Sequence, residues 1–307
     1  KIYMSKIDVS VIIVNYNTKL LLQNCLDSVY SQTGDIFFEV IVSDNGSTDG
    51  SIEMVKVNFP NVILIENNTN LGFGTANNRG LKIAQGKYIL YLNSDTVLKN
   101  NAVKCFYDYW EAHSEEKIGA LGCNLLDENG TYAHSFGDLP NTKKFVFEPI
   151  RFFITSLVKS FFMMTLHKIP SLFITKPNYI KYVGKVGYIT GADLFLKNDK
   201  NAYFDERYFM YYEESDLELN IHKQGLEMRI IEEPEIFHLE KGSDKGKIQY
   251  SFSSIFNEIS RIKYYRKNGN FLAKLCIPFV KVFVILTWLN PYYFSKTKKY
   301  FGIYIKA

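Results

Sequence analysis

Three common binding and redox signatures are missing from this 307-residue sequence. It has no G-x-x-x-x-G-K-[ST] loop, which excludes a P-loop nucleotidase. The first predicted strand is followed by Asn-Tyr-Asn instead of G-x-G-x-x-G, and the nearest match, at residues 72–77, comes only after the third strand. This position argues against a dinucleotide-binding domain. The four cysteines form no C-x-x-C pair, which is typical of reduced thiols in a cytoplasmic protein; they are Cys25, Cys105, Cys123 and Cys276.

The chain is also short of apolar residues at its start and of acidic residues at its end. Residues 1–6 lack the apolar run of a secretory signal, so we expect no export signal there. Residues 241–307 carry 13 Lys/Arg and 2 Asp/Glu, whereas the remaining residues have a net charge of −7. A basic, aromatic-rich segment on an acidic body predicts an anionic partner, either a lipid surface or a nucleic acid.

Residues 9–95 repeat a strand followed by a helix. The predicted strands 9–14, 37–42, 62–65 and 88–92 start 28, 25 and 26 residues apart, which is typical of βαβ units in an α/β fold. Right-handed crossovers would place the polar carboxyl ends of all four strands at one sheet edge. Asn and Asp also form ordinary turns, but four such ends in register favour a ligand crevice. They are Asn15, Tyr16 and Asn17; Asp44 and Asn45; Asn67 and Asn68; and Asn93, Ser94 and Asp95.

The fourth of these ends admits two interpretations. The apolar run Tyr88–Leu92 changes abruptly to Asn-Ser-Asp. A carboxylate at Asp95 could hold a divalent cation against a phosphate. Alternatively, Asp95 caps a helix predicted over Thr96–Tyr109. On the same edge, Asp44 is placed to accept a hydrogen bond from the ring N–H of a pyrimidine.

Several motifs together resemble the family 2 glycosyltransferases of the GT-A fold, and more narrowly the rhamnosyltransferase-type branch that builds bacterial surface polysaccharides. They are Val11–Asn17, Ser43–Asp49, Asn70–Gly74, Asn77–Gly80 and Leu92–Asp95. The resemblance covers roughly residues 8–270. It implies a Rossmann-like, mostly parallel sheet flanked by helices, a nucleotide-sugar donor, a divalent cation (Mg²⁺ or Mn²⁺) and inversion at the anomeric carbon.

The resemblance also assigns binding residues. It implies that the donor is bound by Asn15, Tyr16, Asn17, Asp44, Asn45, Gly72, Asn77, Asn78, Asn93, Ser94, Asp95, Gly191 and Ala192. It implies that Asp95 and His238 hold the metal, although a lone histidine is more often structural. The family's metal motif is often Asp-x-Asp, and Asn93 stands at its first position here. We therefore expect weak metal binding in the absence of nucleotide.

Three carboxylates follow an aromatic run near residue 213. Glu213, Glu214 and Asp216 lie at the start of a helix predicted from about Ser215 to Gly225. Negative charge is favourable at a helix N-terminus, which is one interpretation. The other is a general base that removes the acceptor's proton. The family pattern is usually Glu-Asp-x-Asp, so the resemblance assigns the base to Glu214, with Glu213 as the alternative and Asp216 in support.

The rest of the chain predicts membrane contact. We expect a GT-A domain over 1–267, with a nucleotide-sugar half (1–126) and an acceptor half (127–267), and a basic, aromatic membrane-associating segment over 268–307. Residues 145–176 form either a helical hairpin in the core or an amphipathic element on a membrane. Residues 271–289 are long enough to span a bilayer, but two lysines and a proline favour a helix in the membrane plane. Packing on the body or on a second subunit is the alternative.

These observations predict an inverting, metal-dependent glycosyltransferase at the inner face of a bacterial plasma membrane. The expected reaction moves rhamnose from dTDP-rhamnose to a lipid-linked or growing cell-surface glycan. The same fold with a UDP-hexose donor is the enzymatic alternative. A non-catalytic adaptor for membrane or nucleic acid is the alternative from another class. For the enzyme we expect no nucleic-acid partner, and a homodimer is left open.

Overall fold

The computed structural model describes residues 7–166, 179–239, 252–290, 294 and 297–307. The chain folds as two compact units. Unit 1 contains residues 1–139, 179–209 and 213–245, and unit 2 contains residues 140–178, 210–212 and 246–307. The domain boundaries expected at residues 126 and 267 stay predictions.

The helices and strands are numbered along the chain. The strands are β1 (Val9–Asn15), β2 (Phe38–Asp44), β3 (Ile63–Glu66), β4 (Tyr88–Asn93), β5 (Thr96–Leu98), β6 (Ile118–Cys123), β7 (Phe136–Gly137), β8 (Gly184–Val186), β9 (Tyr188–Ile189), β10 (Asp193–Lys197), β11 (Glu227–Ile231) and β12 (Ile236–His238). The α-helices are α1 (Lys19–Gln32), α2 (Ser51–Asn58), α3 (Phe73–Leu81), α4 (Ala102–Ala112), α5 (Thr142–Leu166), α6 (Glu213–Lys223), α7 (Phe252–Asn268), α8 (Phe271–Leu289) and α9 (Phe301–Lys306). Helices α5, α7, α8 and α9 belong to unit 2.

The centre of unit 1 is an eight-stranded sheet in the order β3-β2-β1-β4-β10-β6-β11-β8. Strands β3, β2, β1 and β4 are parallel neighbours, so their carboxyl ends meet at one edge, as predicted. Strand β10 enters antiparallel between β4 and β6. With its flanking helices, this mostly parallel sheet confirms the predicted α/β fold class.

Both faces of the sheet are buried, which explains the continuous apolar runs in its strands. Val11 and Ile13 of β1 pack on one face with Leu26 of α1, and Ile12 packs on the opposite face. The sheet therefore holds the polar strand ends rigidly at its edge.

The helix predicted over Thr96–Tyr109 is wrong in its first part. Residues Thr96–Leu98 form β5, which pairs antiparallel with β12. Helix α4 begins at Ala102, and the side chain of Asn101 caps it by accepting from the backbone N–H of Lys104. Thr96 and Val97 are β-branched and suit a strand once β12 provides a partner. Asp95 therefore caps no helix.

One helix lacks a side-chain cap, and another starts earlier than predicted. Thr18 precedes α1, but its hydroxyl donates to Asn15 Oδ1 at 2.6 Å and does not cap the helix. Helix α6 begins at Glu213, two residues before the predicted start, so all three acidic residues lie in its first turn. The carboxylates are thus part of the helix and are fixed by its geometry.

In unit 2, the described part of the predicted 145–176 element lies in one helix. Helix α5 has 25 residues and contains Pro149, and residues 167–176 lie outside the described residues. Helix α8 has the predicted bounds, and Asn270 Oδ1 caps it by accepting from the backbone N–H of Ala273 at 2.9 Å. The two helices pack together, with the rings of Phe153 and Phe283 5.7 Å apart.

Candidate active site

The carboxyl ends of β1 and β2 are joined by a buried polar network. Asn15 Nδ2 donates to Asp44 Oδ2 at 2.7 Å and to Ser47 Oγ at 3.0 Å. Asp44 Oδ1 accepts from the backbone N–H of Ser47 at 2.7 Å, and Asp44 is 1% exposed. The carboxylate therefore fixes the loop after β2, and its contact with a pyrimidine stays a prediction.

The next residues of the β1 end face outward. Asn17 adopts a left-handed backbone conformation (φ 55°), and its Oδ1 accepts from the backbone N–H of Thr48 at 2.8 Å. Tyr16 is 47% exposed. An exposed aromatic ring beside fixed polar loops offers a stacking surface for a nucleobase.

Asn45 and Gly72 position the loop before α3. Asn45 Nδ2 donates to Asn70 Oδ1 at 3.3 Å and to the carbonyl of Gly72 at 3.2 Å. Gly72 has φ +84°, and a Cβ there would lie 2.1 Å from the carbonyl oxygen of Phe209. Only glycine allows the backbone to come this close to the Phe209 carbonyl. The backbone N–H of Phe73 donates a hydrogen bond to the same carbonyl oxygen at 2.9 Å.

Asn77 and Asn78 bind protein backbone. Asn78 Nδ2 donates to the carbonyl of Phe204 at 2.8 Å, and its Oδ1 accepts from the Phe204 N–H at 2.9 Å. Asn77 Nδ2 donates to the carbonyl of Phe73 at 3.2 Å. Both side chains are buried, so they hold α3 in place, and their direct contact with a donor stays a prediction.

The structure brings Asp95 and His238 together. His238 Nε2 lies 3.3 Å from Asp95 Oδ1 and 3.4 Å from Asn93 Nδ2. The pairing of β5 with β12 brings the two residues together, because it sets His238 opposite Thr96, the residue that follows Asp95. The backbone N–H of Leu239 also donates to the Asp95 carbonyl at 3.0 Å.

The donor set at this point fits a divalent cation. A carboxylate oxygen is a ligand of both Mg²⁺ and Mn²⁺, and an imidazole nitrogen is a ligand of transition-metal ions, which favours Mn²⁺ over Mg²⁺. Among the described residues there is no group of three or more His, Cys, Asp or Glu side chains that could hold a metal. Asp95 and His238 would therefore leave most octahedral positions to water and phosphate oxygens.

The end of β4 is linked to the segment before β10. The backbone N–H of Asn93 donates to the carbonyl of Ala192 at 3.1 Å. Ser94 Oγ lies 3.0 Å from Thr18 Oγ1. At Gly191, a Cβ would lie 3.1 Å from Glu214 Oε1, so the small residue leaves room for this carboxylate. Glu214 therefore lies beside Gly191, and the next residue along the chain, Ala192, accepts from Asn93.

The two candidate bases at the start of α6, Glu213 and Glu214, differ in their exposure to solvent. Tyr211 and Tyr212 precede the helix with φ 66° and 67°, an uncommon conformation for two successive non-glycine residues and one that is often found at functional sites. Glu213 is 1% exposed, whereas Glu214 is partly exposed. Burial also raises the pKa of Glu214 above its ordinary value. Glu214 is thus the more accessible of the two carboxylates, and its role as the base stays a prediction.

Asp216, the third carboxylate of this group, is buried. It is 1% exposed and accepts from the hydroxyl of Tyr208 at 3.3 Å. This contact ties the first turn of α6 to the preceding loop, and the supporting role of Asp216 in catalysis stays a prediction.

Sequence reasoning missed two buried carboxylates beside this site. Asp193 Oδ2 accepts from the Cys123 N–H at 2.6 Å, and burial raises the pKa of Asp193 to about 7. Glu218 Oε1 accepts from the Ile189 N–H at 2.8 Å, and burial, together with the charge of Glu214, holds the pKa of Glu218 well above its ordinary value. Glu218 could have been found, because it follows Glu214 by four residues on one helix face.

Residues 10–161 match the sequence profile of Glycosyl transferase family 2. This segment is a family 2 glycosyltransferase domain. The chain is 35% identical over 119 residues to a poly(ribitol-phosphate) beta-glucosyltransferase of Bacillus spizizenii, an alignment that covers 37% of this chain and 19% of the relative. It is 28% identical over 218 residues to an uncharacterised glycosyltransferase of Methanocaldococcus jannaschii, covering 68% and 71% of the two chains.

Solved structures share the fold of this chain. The crystal structure of S. aureus TarS has a TM-score of 0.52 at 16% identity, covering 96% of this chain and 45% of TarS. A mannosyltransferase of Pyrobaculum calidifontis, solved in complex with GDP-Man and Mn²⁺, has a TM-score of 0.50 at 14% identity, covering 99% and 87%. The predicted GT-A fold and enzyme class are therefore confirmed, while the rhamnosyltransferase branch stays a prediction.

Proposed function

We propose that the protein is an inverting, metal-dependent glycosyltransferase that moves a sugar from a nucleoside diphosphate to a hydroxyl of a cell-surface glycan. One observation carries this proposal. The Asp95–His238 pair, with its 3.3 Å separation, adjoins Asn93, whose N–H binds Ala192 next to Gly191 and Glu214. A cation site and a base with a raised pKa thus lie within one connected group of residues.

The chemistry is a single displacement. Glu214 accepts the proton of the acceptor hydroxyl while the acceptor oxygen bonds to the anomeric carbon. The bond between that carbon and the diphosphate oxygen breaks, and the diphosphate leaves with both electrons. Attack from the face opposite the leaving group inverts the configuration.

Asp95 and His238 would hold the cation, with Asn93 beside them. A divalent ion there supplies positive charge that stabilises the departing diphosphate. Tyr16 would stack on the base, while the Asn15–Asp44–Ser47 network keeps the surrounding loops in place for the base and ribose. Gly191 leaves room for the Glu214 carboxylate beside the Phe73 ring.

Two donors deserve direct comparison. The rhamnosyltransferase-like motifs favour dTDP-rhamnose as the donor and a lipid-linked or growing glycan as the acceptor. The 35% identity to a protein named a beta-glucosyltransferase favours a UDP-hexose. Because that alignment covers 37% of the chain, both remain candidates for one site.

A donor panel tests the proposal. Thermal stabilisation and nucleoside diphosphate release would be measured with dTDP-rhamnose, UDP-glucose, UDP-galactose and GDP-mannose, each with Mn²⁺ or EDTA. One donor should raise the melting temperature and turn over, with both effects lost in EDTA and in Asp95→Asn. The exposed Asp35→Asn is the matched control and should behave as wild type. Full turnover in EDTA would remove the metal from the proposal, and the absence of any responding donor would refute it.

A further inference from the structure

Helix α8 has two apolar faces. One face is buried within unit 2 and includes Ala273, Ile277, Val280, Val284 and Trp288. The large apolar side chains on its other side are between 41% and 82% exposed; they are Phe271, Leu272, Leu275, Phe279, Val282, Leu286 and Leu289. Leu275, Phe279, Val282, Leu286 and Leu289 are spaced by three or four residues, so they form one exposed stripe.

Helix α5 carries a second stripe of this kind. Phe147, Ile154, Leu157 and Phe161 are between 49% and 63% exposed and recur at helical spacing. The two helices are neighbours, because Phe153 of α5 contacts Phe283 of α8, and Phe283 in turn packs edge-on against the exposed Phe279. Soluble monomers rarely expose so many large apolar side chains on adjacent helices, so this surface requires a partner.

The charges of these helices indicate the chemistry of that partner. Helices α5, α7, α8 and α9 contain two acidic residues, Glu148 and Glu258. Both face one cation: Glu258 forms an ion pair with Arg261, and Glu148 Oε2 lies 3.9 Å from Arg261 Nη1. The same four helices carry 11 Lys/Arg, so their net charge is positive. Apolar stripes with basic surroundings complement an anionic lipid surface.

We propose that unit 2 docks on an anionic bilayer with α5 and α8 lying in the membrane plane and their exposed stripes inserted at the headgroup–acyl boundary. The inference is independent of the donor sugar and goes beyond the transfer reaction. It also selects among the three arrangements that the sequence left open for residues 271–289.

The structure favours the in-plane arrangement over a span. Helix α8 has 19 residues and a mean hydropathy of 2.0, which meets the length and composition of a span, but a third of it is already buried within the protein. It contains Lys274, Lys281 and Pro278, and Lys281 Nζ donates to the carbonyl of Ile305 at 2.9 Å. Placing two lysines in the hydrocarbon core is costly, whereas a lysine beside an in-plane helix reaches the headgroups.

Vesicle flotation of the full chain tests this surface. The vesicles are phosphatidylcholine alone or phosphatidylcholine with phosphatidylglycerol. The test variant is Leu275→Gln/Phe279→Gln/Leu286→Gln. The matched control is Leu20→Gln/Val57→Gln, which removes apolar side chains that are 73% and 77% exposed in unit 1. Wild type and control should float with the anionic vesicles, and the bound fraction of the triple variant should fall by about tenfold or more.

A second variant tests the charge contribution separately. Lys298→Glu/Lys299→Glu changes two exposed residues and should weaken binding to the anionic vesicles more than binding to phosphatidylcholine. Equal melting temperatures verify that each variant folds.

Three results would overturn the proposal: wild type that floats with neither vesicle, a triple variant that binds like wild type, or an unchanged lysine variant. If light scattering instead shows a wild-type dimer that the triple variant converts to a monomer, without vesicle binding, then the occupant of the stripes is a second copy of the chain.

Discussion

Glu214 and Glu218 lie one turn apart on the same face of α6. Burial raises the pKa of both, and the charge of Glu214 raises the pKa of Glu218 further. A base must be deprotonated before it can accept a proton, so a raised pKa moves the acid limit of activity upward in pH. Because the charge of Glu214 acts on Glu218, Glu214 loses its proton first, and Glu218 stays protonated while Glu214 titrates.

This arrangement predicts the pH profile of Glu218→Gln. Wild-type kcat/KM should fall as the pH is lowered through the raised pKa of Glu214. Glu218 is protonated over that range, so Glu218→Gln removes no charge and the acid limb should stay within about half a pH unit of its wild-type position. Glutamine can still accept from the Ile189 N–H, which preserves the local contact. The exposed Glu53→Gln is the control, and a downward shift of the acid limb by a pH unit or more in Glu218→Gln would show that Glu218 is charged beside the base.

Asp193 gives a stability prediction. Its pKa rises from an ordinary 3.8 to about 7 in the folded protein, because burial disfavours the charged form. The protonated carboxyl therefore favours the folded state below about pH 4, and that contribution is lost as the pH rises to about 7. Asp193→Asn does not titrate, so its unfolding free energy relative to wild type should increase across this window by on the order of 2–4 kcal/mol. Urea unfolding at pH 4, 5.5 and 7.5 measures the change, and parallel pH dependences of the two proteins would contradict it.

The residues of the site were unequally predictable. The meeting of Asp95 with His238 was expected only from the resemblance to family 2 glycosyltransferases, which assigns the metal to both residues. Asp193 gave no such signal, because its burial depends on β10 inserting between β4 and β6, a long-range pairing that no local pattern encodes. The same insertion brings Ala192 to Asn93.

At the level of elements, β5 shows where local reasoning failed. A polar corner followed by an amphipathic stretch predicted one helix from Thr96, and the C-terminal part of that stretch is indeed α4. The first three residues instead pair with β12, more than a hundred residues away in sequence. The pairing of β5 with β12 outweighed the local helix propensity of Thr96–Leu98. The same pairing places His238 beside Asp95.

The loop before α3 gives an element-scale prediction. Gly72→Ala would place a Cβ 2.1 Å from the Phe209 carbonyl and would also require a left-handed backbone at φ +84°. Gly225, after α6, has φ +75° with nothing within 4 Å of the same Cβ position, so Gly225→Ala carries the backbone penalty alone. Gly225→Ala should cost about 1 kcal/mol and Gly72→Ala clearly more, at about 2–4 kcal/mol. Equal losses of melting temperature would show that the loop relaxes without strain.

At the scale of the whole molecule, the spacing of the repeats was the most informative signal. It predicted four parallel strands with their carboxyl ends together, and the sheet order β3-β2-β1-β4 confirms this. The grouping of residues 140–178 with 246–307 in unit 2 was not predicted, because it depends on helices far apart in sequence. The basic tail alone suggested a membrane, but the exposed stripe on α5 became visible only in the folded unit.

The central claim is that this chain transfers sugars with Glu214 as the base. The most direct test is the rate of sugar transfer from the responding nucleotide sugar by wild type, Glu214→Gln and Glu213→Gln under saturating Mn²⁺. We predict that Glu214→Gln loses at least about 100-fold in kcat with little change in donor affinity, and that Glu213→Gln loses less. Wild-type turnover in Glu214→Gln would contradict the account, and a larger loss in Glu213→Gln would move the base to Glu213.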